Sequence, residues 1–425
     1  MSMSLSGSLT RMFRSFKEPN YRRYVSGHAV SIAGTWMQRV AQDWLVLELT
    51  DSAIAVGIAT SLQFLPMLLL GVWGGVIADR FDRRRLLLKT QAVSAVLAAA
   101  LAVCTLAGVA TIELVYGFAL GLGLVTVVDV PTRQVFISDL VQEDDFVNAQ
   151  SLNSTVHNLG RLVGPAVAGL LIASFGVGVA FSINALSFVA VLLALWRIDP
   201  SKLHYTQQST RGKGQARDGL RYVWGHPEIR ACLALVAVVA LLGQNFRVVL
   251  PLLARDTFDG GAEVYGWLTS ALGLGAVVGA LASATRVRAS ARSLLVWTLV
   301  FGLVNLLSAA TPTLLAALLA MVALGIANIT VNTLGRTVLL LHADPAMRGR
   351  VIALHGMVFL GSTPFGGPLL GWVCEAWGPR AGFVVAGVSS LLIALAMLPK
   401  VRALEAGRRD TLMRTPPPPG AVDLT

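Results

Sequence analysis

The chain has 425 residues, of which 55% are hydrophobic and only 13% charged, with a mean hydropathy of +0.68. Soluble domains carry about 25% charged residues, so this composition excludes a soluble enzyme and a disordered protein. The net charge of +11 would suit a nucleic-acid partner, but the positions of the charges along the chain argue against one.

Residues 1–23 form a polar N-terminal segment in which Leu5, Leu9, Met12, Phe13 and Phe16 recur at helical spacing beside Arg11, Arg14 and Lys17. That pattern suits a short helix lying on an anionic inner membrane surface. Twelve apolar stretches follow, at 24–48, 52–77, 86–108, 112–136, 147–174, 178–197, 228–253, 263–285, 292–310, 312–336, 351–374 and 380–398. Each is long enough for a helix to cross about 30 Å of hydrocarbon, whereas barrel strands would alternate apolar and polar residues over about ten positions. The sequence therefore predicts an all-α membrane protein. Basic residues accumulate on the cytoplasmic side of membrane helices. With the N-terminus inside, 25 of the 34 Lys and Arg fall in inner segments, and the outer segments hold only Arg255 and Arg380. Both termini are thus expected in the cytoplasm of a cell-membrane protein, with the lipid bilayer as partner and no nucleic acid.

Between the second and third spans the chain reads GVIADRFDRRR from Gly75 to Arg85. Gly75 permits close helix packing at the membrane edge. The cluster containing Arg80 and Arg83 reads first as a headgroup anchor. Asp79 does not fit that role; a carboxylate there is placed to face a helix N-terminus, a contact worth about 0.3–1 kcal/mol.

Two stripes run along the fifth span. Gly160, Gly164 and Ala168 repeat every four residues, as close backbone packing requires, and Pro165 removes one helical hydrogen bond and can bend the span. A second stripe, Asn153, His157 and Arg161, is rotated from the first by about 100°. Polar residues at that depth face a cavity or other helices, not lipid. Gln38, Gln42, Gln244, Asn245, Asn328, Asn332 and His355 are further candidates. Singly, each reads as a helix–helix hydrogen bond. Together they imply a polar centre, with Trp36, Phe64, Phe246 and Phe359 as apolar or aromatic substrate surface.

The polar stretch 198–227 divides six spans from six, so that 24–197 and 228–398 are expected as two bundles of the same orientation. Residues 133–165 align on 336–368 at a constant offset of 203, placing Arg133 on Arg336 and Gly164-Pro165 on Gly367-Pro368. This is the signature of a parallel repeat. Residues 399–425, ending in RTPPPPGAVDLT, read as a disordered cytoplasmic tail. Cys104, Cys232 and Cys374 have neither disulfide nor metal spacing, and no metal site is expected. A nucleotide-binding Gly-rich loop and zinc or serine-hydrolase motifs are missing, so no ATPase and no enzymatic activity are expected in the chain.

Of the 23 acidic residues, only Asp43 and Asp129 fall well inside spans. An ionised Asp at a helix centre costs about 2.5–3.5 kcal/mol on insertion scales, which makes each a functional candidate. Arg39 precedes Asp43, and Arg133 follows Asp129, by one helical turn. Each set therefore reads either as an ion pair fixing helix packing or as a proton-coupling site. Packing is favoured for Asp129 and coupling for Asp43, with His28, His157 and His355 as alternatives.

The G-x-x-x-D-R-x-x-R-R-R pattern at 75–85 resembles the loop signature of the major facilitator superfamily, with Asp82 where a glycine is usual. The segments SIAGTWMQRVAQDWLVLELTDSA, DVPTRQVF and NSTVHNLGRLVGPAVAGLLIASFG resemble its siderophore-exporter and macrolide-efflux branch of drug:proton antiporters. GRLVGPAVAG, from Gly160 to Gly169, is similar to the antiporter signature of its exporters. The resemblance implies twelve helices in two parallel six-helix repeats. It also implies a gate in which Asp79 docks at the start of the eleventh helix near Arg350 and pairs with Arg133. The expected activity is monomeric export of an amphipathic small molecule, drug or siderophore-like, by alternating access. A proton gradient supplies the energy and no cofactor is needed. An importer or facilitator of a small metabolite, or a non-transporting receptor on the same fold, are the alternatives.

Overall fold

The computed structural model describes residues 14–204, 215–286, 289–345 and 347–414. The proposed surface helix over 5–17 lies outside them except for a single 3₁₀ turn, Arg14–Lys17. All regular structure among the described residues is helical. The first six helices are α1 (Pro19–Thr50), α2 (Ala53–Arg80), α3 (Arg83–Leu106), α4 (Ile112–Leu140), α5 (Phe146–Phe175) and α6 (Val177–Trp196). In the linker, α7 (Gln215–Gly225) follows residues 205–214, which lie outside the described set. The seventh span is α8 (Pro227–Val238), a π-helical turn Val239–Gly243, α9 (Phe246–Leu252) and a second π turn, Leu253–Thr257. Then come α10 (Ala262–Arg286), α11 (Ala291–Ala309), α12 (Leu314–His342), α13 (Arg348–Gly361), α14 (Thr363–Trp377) and α15 (Pro379–Arg414).

Among the described residues, eleven helical spans are long and apolar enough to cross a membrane. The twelfth, α1, is as long as its neighbours but carries His28, Gln38, Gln42 and Asp43 on buried positions. Its polarity faces protein, so average hydropathy understates it. The outward faces of the bundle are covered by large apolar side chains, among them Val72, Trp73, Leu186, Trp196 and Leu319. A continuous apolar belt of this kind requires lipid, not water. The helix α15 continues through the first part of the expected tail, as far as Arg414; the prolines beyond lie outside the described residues.

Local chemistry sets the helix ends. Ser52 caps α2 by accepting from the Ala55 amide at 3.2 Å. Asp82, the departure from the glycine of the family loop, caps α3 by accepting from the Arg85 amide at 2.7 Å. An N-cap Asp is worth about 1 kcal/mol over Ala, which explains an acid at that position. The neighbouring arginines are not simply headgroup anchors. Arg83 is buried in an ion pair with Asp139 at the end of α4, and Arg84 donates to the Leu195 and Trp196 carbonyls at the end of α6, at 2.8 and 2.7 Å.

Within the first six helices, α2 packs on α4, α1 on α5 and α6, and α3 on α4 and α6. In the later set, α10 packs on α12, and α11 on α12 and α15. Two long seams join the sets: α5 against α10, and α2 against α14. Each seam contains one of the repeated Gly-Pro pairs. A Cβ on Gly57 would lie 2.5 Å from the Gly367 carbonyl oxygen and 2.8 Å from the Pro368 Cα, and one on Gly266 would lie 2.5 Å from the Pro165 carbonyl oxygen. Only glycine permits backbones this close. The contacts Gly371–Ala53 and Gly169–Ala262 extend both seams toward the end where α1 meets α2. We call the arginine-rich end the basic end and this one the seam end.

Candidate functional site

The buried carboxylate of α1 is the centre of the junction at the seam end. Asp43 is fully buried. It accepts from Arg247 Nε at 2.9 Å, Arg247 Nη2 at 2.7 Å and Tyr265 Oη at 2.9 Å. Arg247 Nη1 also donates to Gln63 Oε1 at 2.7 Å. Four elements, α1, α2, α9 and α10, are thereby tied together inside the membrane. Trp44 stacks over Tyr265 with ring centroids 6.5 Å apart. At the surface, the seam is extended by ion pairing of Arg255 with Asp51 at 2.5 Å and by the Glu375 carboxylate accepting from Ser52 Oγ at 2.8 Å.

The expected partner of Asp43 was Arg39, one turn earlier. The structure gives Asp43 to Arg247 instead. A pair four residues apart on one helix is set by sequence, but the bidentate fork from α9 meets both carboxylate oxygens and displaces it. Nothing in the sequence connects Arg247 with Asp43, 204 residues away. Its local signal was weak: the Gln244-Asn245 break after a π-helical turn, at which α9 restarts. Such a bulge re-aims the residues that follow.

Asp129 behaves as a packing node. It accepts from Thr90 Oγ1 at 2.8 Å, Gln91 Nε2 at 2.7 Å and Arg133 Nη2 at 2.5 Å, which fastens α3 to α4. Arg133 is also in contact with His28 Nδ1. Arg133 thus pairs with Asp129, a turn away on its own helix. Asp79 and Arg80 close the last turn of α2 beside Gly75, and Arg350 lies in the first turn of α13 with Nη1 2.9 Å from the Met347 sulfur.

The polar candidates separate into two kinds. Gln38, Gln42, Asn245 and Asn328 are buried. Gln38 is bonded by Asn184 of α6, Asn245 Nδ2 donates to the Leu241 carbonyl at 2.7 Å, and Asn328 accepts from Asn332 Nδ2 at 2.9 and 3.1 Å. Gln244 Nε2 reaches Asn332 Oδ1 at 3.2 Å. By contrast, Asn153, His157 and Arg161 on α5, Arg39 on α1 and His355 on α13 remain partly or largely accessible. His355 stacks on Phe359, with centroids 6.1 Å apart. Trp36 carries the Arg39 Cζ 4.6 Å and the Arg161 Cζ 5.7 Å from its ring centre, with the His157 ring 5.9 Å away. The small-residue stripe is used on two sides: Gly160 and Gly164 let α1 approach at Ile32 and Trp36, and Pro165 and Gly169 form the seam with α10. Among the described residues no cluster of His, Cys, Asp or Glu is arranged to hold a metal.

Twelve membrane helices, two inter-set seams and a polar centre define a multi-pass carrier of small molecules. The chain matches the Transmembrane secretion effector family over residues 11–425, and it belongs to that family of the major facilitator superfamily. It is similar to the Staphyloferrin A transporter of Staphylococcus aureus, 25% identical over 380 residues covering 88% of this chain and 94% of that protein. It also resembles the Multidrug efflux pump Tap of Mycolicibacterium fortuitum, 28% identical over 390 residues (88% and 94%), and the Enterobactin exporter EntS of Shigella boydii, 24% identical over 386 residues (89% and 91%). Among solved structures the fold is shared with the nucleoside transporter NupG in its D323A form (TM-score 0.74, 14% identity, 90% of this chain and 99% of that one). It is shared as well with a bacterial homolog of the human lysosomal transporter Spinster in an inward-facing, occupied conformation (TM-score 0.67, 16% identity, 96% and 99%). The protein is a membrane transporter and not an enzyme.

Proposed function

We propose that this protein is a secondary active exporter that moves an amphipathic small molecule out of the cell in exchange for protons, working as a monomer with both termini in the cytoplasm. The observation that carries the reading is the Asp43–Arg247 pair, a fully buried carboxylate joining the two helical sets inside the membrane. Alternating access requires the seam end to part, and parting it breaks this pair. A charged Asp43 holds the seam closed. A proton arriving while the seam is open neutralises the carboxylate, so that on reclosing Arg247 meets only neutral acceptors, the protonated Asp43 and Gln63. Exchange follows if proton release and substrate loading occur on the basic side and proton uptake and substrate release on the seam side. The orientation is supported by the distribution of arginines and lysines. Proposed as the matching latch on the basic side is Asp79, at the end of α2, against the start of α13 near Arg350.

The test is flux in proteoliposomes with an imposed pH gradient and a panel of labelled amphipathic substrates. Expected is uphill movement against the proton gradient in the wild type. In Asp43→Asn only downhill exchange should remain. Transport in the opposite sense, or downhill flux alone in the wild type, would identify an importer or a facilitator, and no flux with any substrate would favour a receptor.

A further inference from the structure

The exporter reading leaves the chemistry of the substrate open, and the charges of the centre bear on it. The two carboxylates deep in the first helical set are each taken: Asp43 by Arg247 and Tyr265, Asp129 by Arg133, Thr90 and Gln91. Arg39 and Arg161 have no carboxylate partner among the described residues, and Arg39 Nε lies buried without any hydrogen-bond acceptor. Both guanidinium groups instead flank the ring of one tryptophan, Trp36, and His157 meets the same ring edge-on. A guanidinium is not deprotonated in a protein, and the attraction of an aromatic ring does not replace a counter-ion for a group removed from water. Asn153, one turn before His157, has an amide oxygen with no donor. The site is partly accessible and built from two helices held close by Gly160 and Gly164.

We infer that Arg39 and Arg161, both beside the Trp36 ring with His157, form a binding site for an organic acid that carries a flat aromatic ring. Its carboxylate or ionised phenol is held by the two guanidinium forks, and its ring lies against the indole. A cationic amphiphile meets two uncompensated positive charges here and is rejected. This inference rests on the exporter reading only for the direction of travel; binding itself does not depend on proton coupling.

The experiment is equilibrium binding of tritiated 2-naphthoate to the full-length protein in phosphatidylcholine nanodiscs, where no anionic lipid competes. Neutral 2-naphthamide and cationic 2-naphthylmethylamine serve as competitors. Expected is saturable naphthoate binding, displaced at least tenfold less well by the amide and not at all by the amine. Arg39→Gln and Arg161→Gln should each weaken binding at least tenfold, while Arg39→Lys should retain part of it. A second measurement covers variants that fold poorly: in Asn153→Cys, saturating naphthoate should slow alkylation of the new thiol severalfold, and the amine should not. The proposal is overturned if the wild type binds no naphthoate, if the amine displaces it as well as naphthoate itself does, or if a monodisperse Arg39→Gln/Arg161→Gln double variant binds with unchanged affinity. Binding as expected without pH-driven flux would instead overturn proton-coupled export and leave the site standing.

Discussion

Replacing Asp43 by Asn is the most direct perturbation of the seam. The carboxylate receives three hydrogen bonds, two from Arg247 and one from Tyr265. The amide keeps the shape and one acceptor oxygen but removes the charge, leaving Arg247 with neutral acceptors only, that oxygen and Gln63 Oε1. Breaking a buried pair by removing one partner costs about 3–5 kcal/mol. Where the seam is open, water can solvate the guanidinium and most of that cost is absent. At about 1.4 kcal/mol per factor of ten, the closed-to-open ratio should therefore fall by roughly 10²- to 10³-fold. Pulsed electron resonance distances between spin labels at Leu49 and Asp259, with the native cysteines replaced by serine, read that ratio directly. The expected result is a shift from a single short distance to a predominantly long one, together with loss of uphill efflux. Exchanging the charges, with Asp43→Arg and Arg247→Asp combined, should restore the short distance. An unchanged distance distribution in Asp43→Asn, with pH-driven efflux intact, would refute the reasoning.

Gly57→Val places a Cβ 2.5 Å from the Gly367 carbonyl oxygen; overpacking of this kind costs about 1–3 kcal/mol, and the same distance measurement should show the seam opened about 5- to 150-fold. Asp129→Asn leaves Arg133 without its carboxylate and should lower thermal stability in detergent, while the molecules that remain folded still perform downhill exchange; loss of exchange without loss of stability would move coupling from Asp43 to Asp129. Beyond the end of α6, hydrogen bonds from the Ser201 hydroxyl and amide hold the Asp199 carboxyl below its ordinary range. Because the folded value is depressed, this local contribution is present above the ordinary value of about 3.9 and is lost as pH falls through the lowered one. Hydrogen exchange at the Ser201 amide should accelerate across that window, and Asp199→Ala should abolish the step. For orientation, a cysteine at the exposed Arg85 should react with an impermeant thiol reagent only after the cytoplasmic face is opened; labelling from outside intact cells would reverse the topology.

The sequence determined the membrane class, the helical architecture and eleven of the spans by hydropathy, because lipid demands long apolar helices whatever their packing. It also placed a span at 24–48, which falls within α1. The 203-residue offset exposed the two Gly-Pro pairs, and each proved to sit on an inter-set seam. Charge partners were another matter. For Asp129 the local partner, Arg133, was the right one, since a one-turn spacing brings both onto one face and α3 supplies only neutral donors. For Asp43 the local candidate, Arg39, lost to an arginine 204 residues away, and Arg83 turned from the headgroups to Asp139. Periodicity fixes which face of one helix a residue occupies, but not which helix lies opposite. That assignment comes from packing at glycine contacts and from the π-helical break that turns Arg247, and only the tertiary structure holds it.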